Sequence, residues 1–194
     1  SIEISASVGD ITFQPQTKEE LQTAVDLWIV DSTTTIETYG AINTWDVSLI
    51  TDMSSLFQNY HTFNSDISSW NVSNVTNMDS MFANLIVSGG MQGPGIPSHV
   101  HSIFNQELSS WDVSSVTTME RMFYNAEAFN QDLSNWNVSN VTNMAGMFQF
   151  CGGFNQDLSD WNVSNVTRMD YMFTSSTHFL YGFGGFLPFS RFHE

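Results

Sequence analysis

Trp136-Asn-Val-Ser-Asn-Val-Thr-Asn-Met-Ala-Gly-Met-Phe148, continued by Gly153-Phe-Asn-Gln-Asp-Leu-Ser-Asp-Trp161, is one period of a repeat that fills most of this chain. Trp45, Trp70, Trp111, Trp136 and Trp161 open the same phrase at spacings of 25, 41, 25 and 25 residues. The long interval is one 25-residue period carrying a 16-residue insertion. A fixed period in this range is the signature of a solenoid, in which no unit buries its apolar face alone and stacked units share one core.

Aligning the periods shows which positions the fold dictates. Val recurs at 47, 72, 113, 138 and 163, each followed by Ser. Thr recurs at 51, 76, 117, 142 and 167, and Met two residues later at 53, 78, 119, 144 and 169. A second Met stands at 81, 122, 147 and 172, with Leu56 in the first coil. Phe follows at 57, 82, 123, 148 and 173, and a second Phe column stands at 63, 104, 129, 154 and 179. Ile67, Leu108, Leu133 and Leu158 close the apolar set. Met fills irregular gaps well, so the Met columns read as core stripes rather than a cofactor box.

Met, Met and Phe at i, i+3 and i+4 lie on one face of a helical turn, which predicts a short helix per coil. The short segment Asp157-Leu158-Ser159-Asp160-Trp161 lacks helical spacing and reads as the strand. Stacked strands of this kind predict a narrow parallel sheet with coils roughly 4.8 Å apart. The expected architecture is therefore an α/β solenoid with one short parallel strand and one short helix per 25-residue coil. The recurring Asn64, Asn105, Asn130 and Asn155, with the Ser and Thr rows, predict internal hydrogen-bond ladders that satisfy turn backbone.

The phrase Trp-Asn-Val-Ser-Asn-Val-Thr-x-Met-x-x-Met-Phe with its Phe-Asn-Gln-Asp-Leu-Ser continuation resembles the BspA-like leucine-rich-repeat surface proteins. The resemblance spans roughly residues 41–180. It implies a leucine-rich-repeat-like, right-handed superhelix, a secreted or cell-surface setting and a role in adhesion or protein binding. It carries no catalytic residues.

Three segments fall outside the repeat. Residues 1–40 form an N-terminal cap, with Thr17 and Glu20 as a capping box and Leu21, Ala24, Val25 and Trp28 on one helical face. Residues 41–180 are the five-coil solenoid, interrupted at 83–103 by a Gly/Pro-rich loop that is a candidate specificity element. Residues 181–194 carry Phe183, Phe186, Phe189 and Phe192, either as a C-terminal cap or as a tail that docks into a partner or a second copy.

A net charge of −16, with four Lys and Arg, excludes nucleic acid as a partner and repels anionic lipid headgroups. No apolar run is long enough for a membrane span. The single cysteine, Cys151, permits no internal disulfide and reads as a small buried filler rather than a reactive thiol. The chain opens at Ser1 without Met, which fits a mature protein after signal cleavage or a piece of a longer chain.

Asp66, Glu107, Asp132 and Asp157 share one position in their coils and form the candidate ligand-binding face. Like charges about 5 Å apart in water repel by about 1 kcal/mol or less, so the column either faces solvent or holds Ca²⁺. The weak metal candidates are Asp132 and Asp157, together with His99 and His101 in the loop. Asn-x-Ser/Thr sequons at Asn71, Asn74, Asn137, Asn140, Asn162 and Asn165 arise from the repeat itself. No nucleophile elbow, zinc-protease or phosphate-loop motif occurs. The expectation is a non-enzymatic binding or adhesion module for a protein or glycan at a cell surface. The alternative is a structural subunit that forms a homo- or hetero-oligomer through its Phe-rich tail.

Overall fold

The computed structural model describes residues 12–85 and 101–176. Two helices open it, α1 at Lys18–Val30 and α2 at Ser32–Tyr39, followed by a single 3₁₀ turn at Ile42–Thr44. Thr17 caps α1 by accepting the Glu20 N–H at 3.2 Å, while Glu20 reaches back to the Gln16 N–H at 2.7 Å. This is the reciprocal arrangement of a capping box, shifted by one residue on the return bond. Asp31 ends α1 and caps α2, accepting from the Thr33 and Thr34 N–H groups. Leu21, Ala24 and Val25 face inward and join the same buried cluster as the repeat columns.

After residue 44 the described chain contains no helix and no strand. The α/β solenoid expected from the spacing, leucine-rich-repeat-like with one strand and one helix per coil, is overturned. The coils are built from turns and joined by isolated parallel bridges along Asp52, Asn77, Thr118, Asn143 and Arg168. The predicted strand at 157–161 is instead a turn in which Asp157 Oδ1 accepts the Ser159 N–H at 2.9 Å.

The predicted helix fails for a backbone reason. The residue before the second Met or Leu, at Ser55, Ser80, Arg121, Gly146 and Tyr171, has φ of 60°, 57°, 54°, 63° and 58°. A left-handed residue cannot sit inside a right-handed helix. Here it turns the backbone so that alternate N–H groups leave the coil. Met53, Ser55, Phe57 and Asn59 donate to the carbonyls of Asn77, Asp79, Met81 and Ala83 in the next coil, at 2.8–2.9 Å. The intervening N–H groups of Leu56, Gln58 and Tyr60 bond back within the coil to Met53, Ser55 and Phe57. The outward pattern recurs at every junction, ending with Met144, Gly146, Phe148 and Phe150 donating to Arg168, Asp170, Met172 and Thr174. All these bonds point the same way along the stack. The Thr row runs in the opposite sense, each Thr N–H donating to the preceding Thr carbonyl at 2.8–2.9 Å.

Between these ladders lies one contiguous core. The Val, Met, second Phe, Leu and Trp columns are buried through the middle coils. The first Phe column stacks from Phe57 through Phe82, Phe123 and Phe148 to Phe173 at centroid separations of 5.4–5.6 Å and angles of 6° or less. Near-parallel rings at that separation are offset, the arrangement that the ring quadrupole favours. Each indole N–H in these columns reaches back to a carbonyl, as Trp136 Nε1 does to Leu108 O at 2.9 Å. A buried Trp thus keeps its one donor satisfied.

Candidate functional site

The polar columns divide by what their side chains already do. Asn64, Asn105 and Asn130 each accept, through Oδ1, the backbone N–H of the next asparagine in the column at 2.9–3.0 Å. The ladder forms as expected, but on the exposed surface rather than internally. Asn74, Asn140 and Asn165 donate through Nδ2 to Ser48, Ser114 and Ser139 carbonyls of the preceding coil. Half of the sequon nitrogens are therefore occupied by inter-coil bonds.

Asp66, Glu107, Asp132 and Asp157 are all exposed. Three of them cap the following turn, with Ser68, Ser134 and Ser159 N–H donating at 2.8–2.9 Å. Those backbone hydrogen bonds, with the serine hydroxyls, hold the three aspartates below the usual carboxylate range. Glu107, one methylene longer, accepts instead from the Ser109 hydroxyl at 2.7 Å. The column is solvated and regular, and its aspartates are ionised.

His101 Nδ1 contacts Glu127 Oε2, which is not a member of the acidic column. His99, the greater part of the loop (86–100) and the tail residues Phe183, Phe186, Phe189 and Phe192 lie outside the described residues. Among the described residues, no three His, Cys, Asp or Glu side chains converge in a way that could hold a metal ion. No helix among them is long and apolar enough to cross a membrane. Cys151 is fully buried; burial drives its thiol well above the usual range, and Sγ donates to Ala126 O at 3.0 Å.

One concavity carries no sequence motif. A notch of about 220 Å³ lies over Ala145 and Gly146, walled by Glu120, Arg121, Gln149, Arg168, Asp170 and Tyr171. Arg168 Nη1 reaches Glu120 Oε2 at 3.1 Å, and its Nε lies 3.5 Å from Asp170 Oδ2. Asn143 Nδ2 also donates to Glu120 Oε2, at 2.8 Å. Arg168 thus spans the coil between its two carboxylates, across a position where Ala145 offers only a methyl group. The signal that could find the notch is in the alignment of coils. Ser54, Asp79, Glu120 and Asp170 share a column with Ala145, and Ser55, Ser80, Arg121 and Tyr171 share the next with Gly146.

The fold and surface define a repeat protein of stacked turns, with satisfied inter-coil ladders and an ordered polar exterior. Within that class, the chain belongs to the family described as "Mycoplasma protein of unknown function, DUF285", whose model matches residues 17–87 and 98–185. No curated protein and no solved structure matches.

Proposed function

We propose that the protein is a non-enzymatic binding or adhesion module of a secreted or cell-surface protein, presenting its acidic, polar face to a protein or glycan. The observation that carries this is the column Asp66, Glu107, Asp132 and Asp157. It places one acidic side chain at a fixed register in each of four successive coils, on a packed core and open to solvent. A rigid, regularly charged row suits multivalent contact with a cationic or hydroxyl-rich partner, because little ordering entropy is lost on binding. The resemblance to BspA-like surface proteins supports the same reading, and the matched family is related to such repeat proteins.

The test is retention on immobilised extracellular-matrix proteins and glycans, comparing the native chain with a variant carrying Asp66→Asn, Glu107→Gln, Asp132→Asn and Asp157→Asn. Asparagine keeps the turn, since Asn137 Oδ1 already accepts the Ser139 N–H at 3.2 Å in the equivalent motif after Trp136. Retention of the native chain and its loss in a variant that still unfolds in one cooperative thermal transition is the expected result. Equal retention of both chains would remove the column as the binding face.

A further inference from the structure

We propose that the notch over Ala145 and Gly146 binds a single carboxylate-bearing sugar ring, a uronate-type unit. Three observations converge on it. The first is that the backbone does not explain the glycine. Gly146 has φ of 63°, but Ser55, Ser80, Arg121 and Tyr171 hold nearly the same angle with full side chains. A Cβ at Gly146 would meet only Arg121 Cγ and Gln149 Oε1 closely, both at 3.2 Å and both on flexible side chains. What the glycine does, together with Ala145, is open the gap.

The second observation is the state of the groups around that gap. Lys18 is paired with Asp52, and Arg168 with Glu120 and Asp170. Among the described Lys and Arg residues, Arg121 is the one without an ion pair. Its stem leans over Gly146 from one coil, and the exposed Tyr171 stands on the other side. A guanidinium takes a planar carboxylate in a two-point contact. The Gln149 amide and Tyr171 hydroxyl match ring hydroxyls, and the tyrosine face matches sugar C–H groups.

The third observation is size and field. At about 220 Å³ the notch falls below the roughly 300–1,000 Å³ of sites for drug-sized ligands, which suits one ring. The net charge of −16 repels polyanions, so one carboxylate within a hydroxyl-rich ligand suits the site better than a sulfated or phosphorylated polymer.

The inference rests on the binding-module reading, but none of the four acidic-column residues lines the notch. The experiment is an amide-resolved NMR titration with methyl β-D-glucuronide and, separately, methyl β-D-glucoside. The glucuronide should shift Gly146, Gln149 and Tyr171, and the glucoside should bind at least about tenfold more weakly. Arg121→Gln should weaken the glucuronide by about tenfold or more. Gly146→Arg, which restores the side chain Arg121 carries at the same backbone angle, should abolish binding while the spectrum stays folded. Equal affinity for both sugars, binding indifferent to both substitutions, or no shift with either sugar would each overturn the proposal. The four-site acidic variant, titrated alongside, should bind the glucuronide as the native chain does. Its surface retention then separates failure of the column from failure of the notch.

Discussion

Left-handed backbone at Ser55 costs about 1–2 kcal/mol relative to the right-handed region, because Cβ crowds the following carbonyl. The hydrogen bond it enables, Ser55 N–H to Asp79 O at 2.8 Å, contributes only about 0.5–1.5 kcal/mol net. At Ser55 the two nearly cancel, so this residue adds little net stability of its own. Ser55 is exposed and its side chain makes no hydrogen bond. Ser55→Gly removes the strain and adds unfolded-state entropy of about 0.5–1 kcal/mol. The expected net is a gain of up to about 1 kcal/mol in urea unfolding. A loss would show that the hydroxyl does something the backbone argument ignores. The same column explains why the spacing predicts a helix that does not form. Met, Met and Phe at i, i+3 and i+4 are buried as a helix would bury them, and burial spacing does not reveal where the N–H groups go. The strand expected at 157–161 gives way to local chemistry that the sequence does display. Asp-x-Ser is itself a turn pattern, and Asp157 with Ser159 forms that turn, as Asp66 with Ser68 and Asp132 with Ser134 do.

The helix α1 is legible because its apolar spacing agrees with its cap, and both signals are local. Its packing against the first coil is also chemically matched. The ladder leaves carbonyls at that end, and Gln22 Nε2 donates to Leu56 O at 3.1 Å. Lys18 Nζ sits at the same end, 3.2 Å from Asp52 Oδ2 and hydrogen-bonded to Ser54 Oγ. A cation beside a row of carbonyls that no earlier coil covers is favourable for the reason it is at a helix C-terminus. Leu21 is fully buried at this junction. Leu21→Ala should destabilise the protein by about 2–5 kcal/mol through lost burial and residual cavity. Thermal or urea unfolding measures it; a change below about 1 kcal/mol would mean that α1 does not share the cooperative core.

For the molecule as a whole, the columns of core residues are readable because periodicity reports what neighbouring coils share. The notch is not, because it exists where one coil departs from its neighbours, and its walls come from Glu120 to Tyr171 across three coils. The acid response also belongs to this scale. Asp46, Asp66, Asp112, Asp132 and Asp157 are all held below their ordinary range by hydrogen bonds from the serine two residues on. Their folded-state pKa lies under the unfolded value, so the stability they contribute is complete above that unfolded value of about 3.9 and is lost as pH falls through the folded one. Urea midpoints should therefore stay level from about pH 7 to pH 5 and drop below about pH 4. A midpoint that rises on acidification would show that relief of the −16 charge outweighs the local bonds.

The one-way ladder has a genetic corollary. In that ladder each coil carries donors for the coil after it and acceptors for the coil before it, while the Thr row donates the other way, so a junction's backbone bonds form with any coil set in the same orientation. Duplicating or deleting a 25-residue unit in the gene leaves every remaining junction chemically whole, whereas inverting one would set donor against donor. Copy number can drift while the contacts stay constant, and a change confined to one copy, such as Ala145-Gly146, can alter the surface without disturbing the stack.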